Sequence, residues 1–172
     1  ASAKPKGIFG DGFDYEAVRS KRVELMENYV EKNGIEVKSG AKELLSFLKE
    51  NGYKVALATA TPPERAERYL KAHDLYKYFD VTVSASMVSV GKPAPDIYLK
   101  AAEMLSLSPQ SCVALEDSPN GIKSASSAGC VTVMVPDLDK PSNDIIPLLH
   151  GVANGLSDVK RILRELEDCN IQ

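Results

Sequence analysis

The chain has 172 residues, of which 44% are hydrophobic and 26% charged, an ordinary globular composition with room for one domain and a real core. A formal net charge of −3, with lysines and arginines spread among acidic neighbours, excludes the basic field that nucleic acid requires. No apolar run nears the ~20 residues that span a bilayer, so neither a membrane nor a nucleic acid is expected as a partner. Cys112, Cys130 and Cys169 lack the paired spacing of a disulfide framework or zinc site. With no apolar signal core near Ala1, they predict a reducing, cytoplasmic setting, and Cys112 and Cys130 read as buried thiols at the starts of apolar runs.

The first helical pattern runs from about Tyr15 to Lys32, with Asp14 as N-cap and Asn33-Gly34 as stop. Val18, Leu25, Met26, Tyr29 and Val30 fall largely on one face. A second helix follows Gly40, burying Leu44, Leu45, Phe47 and Leu48 and ending at Asn51-Gly52. The texture then changes. Residues 54–60 (KVALATA) form the short apolar run of a strand covered on both faces. Pro62-Pro63 opens a helix to about His73, Val81 to Ser84 is the next strand, and Pro95 to Leu105 is helical with Ile97, Tyr98, Ala101 and Met104 on one face. Cys112 to Leu115 is another buried strand, Gly121 to Ala128 a small-residue helix stopped by Gly129, and Val131 to Val135 a further strand. Val152-Ala153 reads as a short edge strand, and a final helix capped by Ser157 turns Val159, Ile162, Leu163 and Leu166 inward.

Strand and helix alternate from Lys54 onward, which predicts an α/β fold: a Rossmann-like parallel sheet with helices on both faces. Ligands of such sheets bind beyond the carboxyl ends of the strands. Polar residues that no core requests stand at those ends. Thr59 and Thr61 follow the first strand, Gly91-Lys92-Pro93 the second, and Glu116-Asp117-Ser118 the third. A hydroxyl donates to a phosphate oxygen, an ammonium offsets its charge, and paired carboxylates hold a hard cation such as Mg²⁺. Phosphoryl transfer needs mainly positioning and neutralisation, which these side chains supply. Taken singly, Thr59 reads equally as a β-branched strand end, Lys92 as a solvated loop lysine, and Glu116-Asp117 as a turn and helix cap.

Residues 55–61 (VALATAT), 90–98 (VGKPAPDIY) and 115–122 (LEDSPNGI) resemble three motifs of the haloacid dehalogenase superfamily, in its β-phosphoglucomutase and sugar-phosphate phosphatase branch. The resemblance covers about residues 14–168. It implies that Thr59, with the adjacent Ala60, binds phosphate, that Lys92 stabilises a phosphoenzyme, and that Glu116 and Asp117 bind Mg²⁺. It also implies an activity: a Mg²⁺-dependent phosphatase or phosphomutase acting on a small phosphorylated metabolite. By the same resemblance, residues 1–13 form a stub that starts the central strand, 14–38 are a remnant of a helical cap, and 39–172 are the core.

The family's nucleophile, the first aspartate of an Asp-x-Asp-Gly motif, has no counterpart here, for that motif is absent from the sequence. Residues 4–9 (KPKGIF) resemble the approach to it. Counted without gaps, Asp11 falls at the nucleophile position and Phe13 replaces the second acid; alternatively, residues 10–13 are a loop joining two cap helices. The family's central strand lies between those containing Val55–Ala58 and Val113–Leu115. Without it, two apolar strands would carry unpaired backbone groups. Either Lys4 to Phe9 fills the slot, which is the expectation, or another chain supplies a strand in an exchanged oligomer. Two other readings remain: a non-catalytic phosphate- or metal-binding module or regulatory remnant, and a receiver domain, which would need an early acidic cluster that the sequence lacks. Neither His73 nor His150 has a catalytic partner pattern.

Overall fold

The computed structural model describes residues 10 and 12–169, which fall in two compact units, Ala1–Glu36 and Val37–Gln172. In the first unit, α1 (Tyr15–Asn33) starts where Asp14 accepts a hydrogen bond from the Ala17 N–H at 2.9 Å. It ends where the Gly34 N–H reaches the Val30 carbonyl at 2.8 Å. The expected apolar face is present in the sequence, yet the helix buries none of its residues, and Val18, Leu25, Met26 and Tyr29 are exposed.

The second unit alternates as predicted: α2 (Ala41–Glu50), β1 (Ala56–Thr59), α3 (Pro63–Ala72), β2 (Val81–Ser84), α4 (Asp96–Leu105), β3 (Val113–Glu116), α5 (Pro119–Ala128), β4 (Val131–Met134), β5 (Gly151–Val152) and α6 (Val159–Cys169). Every strand pair is parallel, with Thr59 opposite Ser84 and Glu116 opposite Met134. The chemistry of the local sequence explains the boundaries. Proline at the first helical turn, where an N–H has no partner anyway, opens α3 and α5, and Gly129 closes α5 in the left-handed conformation (φ 87°) that side chains resist.

Two apolar layers flank the strands. On one face, Ile97, Tyr98 and Ala101 of α4 and Ala125 and Ala128 of α5 pack with Val83 and Ala114, and Ala56 and Ala58 join them. On the other, Leu44 of α2 and Val159, Ile162 and Leu163 of α6 enclose Val133 and Val135. Met104, placed by its spacing on the inner face of α4, is instead exposed, and Ala102 and Leu105 take that place.

The sheet is not continuous among the described residues. β1 pairs only with β2, and β3, β4 and β5 form a separate group. A cavity of about 500 Å³ lies between β1 and β3, lined by Ala56, Leu57 and Ala58 on one side and Val113, Ala114 and Leu115 on the other. Strand β1 is therefore only partly buried, where its apolar run predicted cover on both faces. The expectation that Lys4 to Phe9 fills this slot lies outside the described residues.

At the amino end of β1, the Asp80 carboxylate receives Lys49 of α2 at 2.8 Å and the Val55 N–H at 2.7 Å. The Lys49 ammonium, and after it the Val55 N–H, hold this carboxyl below its ordinary value. A depressed carboxylate stabilises the fold fully above its unfolded value and loses that contribution as pH falls through the folded one. Asp80→Asn is accordingly expected to cost about 1 kcal/mol in urea unfolding at pH 7, discounted for partial exposure, and nothing measurable at pH 2. Equal cost at both pH values would refute the clamp.

Candidate phosphoryl site

The carboxyl ends of β1 and β3 and the loop after β2 carry the singled-out side chains, and strand periodicity decides which way Glu116 and Asp117 face. Ala114 and Glu116 are two apart on β3, share its inner face towards α4 and are both buried, whereas Asp117 is exposed. The two adjacent acids are therefore different groups physically. Glu116 is buried to 7% exposure and held by three donors, which leaves one acceptor site on its far oxygen. One of its oxygens takes the Lys92 ammonium and the Tyr98 hydroxyl, and the other accepts from Ser118 Oγ at 3.3 Å. Ser118 also caps α5 by accepting the Gly121 N–H at 3.1 Å. The carboxylate lies so close to Gly121 that a Cβ there would overlap it. This position tolerates no side chain.

Lys92 has three N–H donors and three acceptors. Besides Glu116, its Nζ reaches the Ala58 carbonyl and the Tyr98 oxygen, both at 3.4 Å, and lies 5.0 Å from the centre of the Tyr98 ring. Its loop is tied down on both sides. The Val90 N–H donates to Asp96 at 3.3 Å, and the buried Ser124 hydroxyl donates to the Ala94 carbonyl at 2.5 Å. The ammonium thus bridges the end of β1 to the end of β3.

Thr59 closes β1 beside Ala58. Its Oγ1 accepts the Thr61 N–H at 3.0 Å, which leaves its own proton free to donate, and the buried Ser84 hydroxyl fixes this turn through the Thr61 carbonyl at 3.1 Å. Ala60 follows, exposed. The structure therefore joins Lys92 directly to Glu116, meets the Thr59 strand end through Ala58, and sets Asp117 at the solvent side. Among the described residues no hydrogen bond joins Thr59 to Lys92.

Burial, followed by the Glu116 charge, pushes the Tyr98 hydroxyl far above its ordinary value, so it remains a donor. Burial also pushes the Cys130 thiol up to about 11 and raises Cys112, in keeping with unreactive thiols. Glu116 and Asp117 offer hard oxygen donors. Among the described residues no group of three or more His, Cys, Asp or Glu could hold a metal ion. Two carboxylates suit Mg²⁺, which keeps several waters and takes further oxygens from a phosphate. No helix among the described residues is long and apolar enough to cross a membrane.

Sequence reasoning placed Tyr98 only as core. A tyrosine on an apolar helix face must satisfy its hydroxyl when buried, and that was the available signal. Ser118 and Gly121 were visible as cap and helix start, not as neighbours of the Glu116 carboxylate.

Comparison with known proteins follows the same lines. Residues 8–129 match the family of haloacid dehalogenase-like hydrolases. The chain is 37% identical over 143 residues to a phosphorylated carbohydrates phosphatase of Thermotoga maritima, covering 83% of this chain and 59% of that protein. It is 39% identical over 97 residues to hexitol phosphatase B of Escherichia coli K12, covering 56% and 44%. It thus spans about half the length of these curated relatives. A crystal structure provisionally named as a β-phosphoglucomutase from Thermotoga maritima superposes with a TM-score of 0.75, at 32% identity over 90% of this chain and 72% of that one. Matching motifs, a matching parallel fold and a family match across most of the sequence leave one assignment: the chain belongs to the haloacid dehalogenase-like hydrolases, in the branch of β-phosphoglucomutases and sugar-phosphate phosphatases.

Proposed function

We infer that this chain carries the phosphoryl- and metal-binding half of a Mg²⁺-dependent phosphatase or phosphomutase for a small phosphorylated metabolite such as a sugar phosphate. The observation that carries this reading is the Lys92 ammonium held between the ends of β1 and β3, with the exposed Asp117 next in sequence to its partner Glu116. Two of the three Lys92 hydrogen bonds are long, at 3.4 Å. A phosphate oxygen would offer a shorter, charge-assisted bond in place of the one to the Ala58 carbonyl. The free Thr59 proton and the Ala60 N–H would donate to the remaining oxygens. Asp117, with Glu116 behind it, would hold Mg²⁺, whose charge neutralises the phosphoryl oxygens. The names of the relatives support a sugar-phosphate substrate.

The 172 residues contain no Asp-x-Asp-Gly motif. Positioning groups do not replace a nucleophile, so this chain binds the phosphoryl group without turning it over. The same absence favours a second reading, a phosphate- and metal-binding module that acts without chemistry. Residues 14–38 are assigned to the cap that would select the substrate, and 39–172 to the core.

Calorimetric titration of the purified chain with Mg²⁺ and inorganic phosphate is expected to show saturable binding. Asp117→Asn, which alters an exposed side chain, should weaken Mg²⁺ about tenfold or more. Affinity unchanged within twofold would remove Asp117 from the site. Hydrolysis of a generic phosphomonoester should not exceed the buffer rate. Robust turnover that disappears in Asp11→Asn would instead make Asp11 the nucleophile and reject the inactive reading.

A further inference from the structure

Tyr98 stands apart from the motif residues, on the buried face of α4, with its ring in the cluster formed with Val83, Ile97, Ala101 and Ala114. That packing fixes the ring, because α4 lies against β1, β2 and α5 together. The fixed ring aims its hydroxyl at a single place. There it donates to the Glu116 oxygen that Lys92 also holds, and its own oxygen accepts from Lys92 at 3.4 Å. The ring face adds a second hold on the ammonium, 5.0 Å from the ring centre.

Three parts therefore form a closed triangle: ammonium to carboxylate, hydroxyl to carboxylate, and ammonium to hydroxyl. Only Tyr98 is anchored by a full shell of apolar contacts. The Lys92 side chain has four rotatable bonds and considerable rotamer freedom to lose. Ser118 and Gly121 secure the far oxygen of Glu116. They do nothing to stop Lys92 from sliding along the near one.

The geometry points to Tyr98 as a positioning residue, which uses its hydroxyl and ring to fix the Lys92 ammonium on the near oxygen of Glu116, beside the Ala58 carbonyl at the end of β1. The assignment rests on the phosphoryl-site reading, and it concerns a residue that would touch neither phosphate nor metal. With phenylalanine in its place, the apolar packing and the ring face remain and the hydroxyl bonds are lost.

The test compares the wild-type chain with Tyr98→Phe, and with Ile97→Val as a control for general loosening of α4. Ile97 is fully buried next to Tyr98 and has no part in the triangle. The first readout needs no ligand. In proton–nitrogen NMR, an ordered, protected Lys92 ammonium gives a resolved side-chain signal, identified by its loss in Lys92→Arg. That signal should be present in the wild type and in Ile97→Val and broadened away in Tyr98→Phe. The second readout is titration with inorganic phosphate in the presence of Mg²⁺. Affinity should fall about tenfold in Tyr98→Phe, as expected for losing a hydrogen bond to a charged group, and stay within twofold in Ile97→Val. An ammonium signal unchanged in Tyr98→Phe overturns the positioning role, whatever the phosphate result. An ordered ammonium that Tyr98→Phe abolishes, in a chain that binds no phosphate, upholds the positioning role and overturns the phosphoryl-site reading instead.

Discussion

The ion pair between Lys92 and Glu116 is the interaction on which the rest of this structure turns. Taking two opposite charges out of water costs several kcal/mol per ion, and their attraction offsets that only when every remaining donor and acceptor is satisfied. Here the carboxylate has three donors and the ammonium three acceptors, one of them the Ala58 carbonyl. Because Ala58 belongs to β1 and Glu116 to β3, the pair spans the cavity where the strands are not joined by backbone bonds among the described residues. The same contact ties the two parts of the sheet together at their carboxyl ends.

The adjacent acids show how a strand's two-residue period divides labour. Glu116 follows Ala114 onto the inner face, where Tyr98 and Lys92 hold its near oxygen; Asp117 turns out to solvent. Gly121 completes the arrangement, since only a residue without a side chain lets the helix start pack against a carboxylate. Ser118 gains two functions from one hydroxyl, capping α5 and holding the far oxygen of Glu116.

Much of this was legible in the residues. The apolar runs at β1 to β4 are too short for helices, and the breaks at Gly52, Pro62 and Gly129 mark where the chain turns, although the cover on both faces that the β1 run implies is incomplete. Once the strands are parallel, the residues that follow each pair share an edge, and Lys92 meets Glu116 directly while it reaches the Thr59 strand end only through the Ala58 carbonyl. What could not be read was set by packing across long sequence separations. Tyr98 looked like core because its ring is core, and its hydroxyl meets Glu116 only because α4 packs beside β3's inner face. The stripe on α1 has helical spacing, but spacing cannot say whether a covering surface exists, and its residues are exposed. The gap between β1 and β3, by contrast, follows from the resemblance, which puts the family's central strand between them.

The most direct measure of the central claim is a double-mutant cycle on the ion pair, read by urea unfolding at pH 7 for the wild type, Lys92→Met, Glu116→Gln and the double variant. Each single change strands a buried partner and the double change removes both. The account therefore predicts a coupling of about 2 kcal/mol or more, with the double variant far less damaged than the two singles imply. Single effects that add to within about 0.5 kcal/mol would contradict it, because side chains that do not sense one another cannot span the gap between β1 and β3.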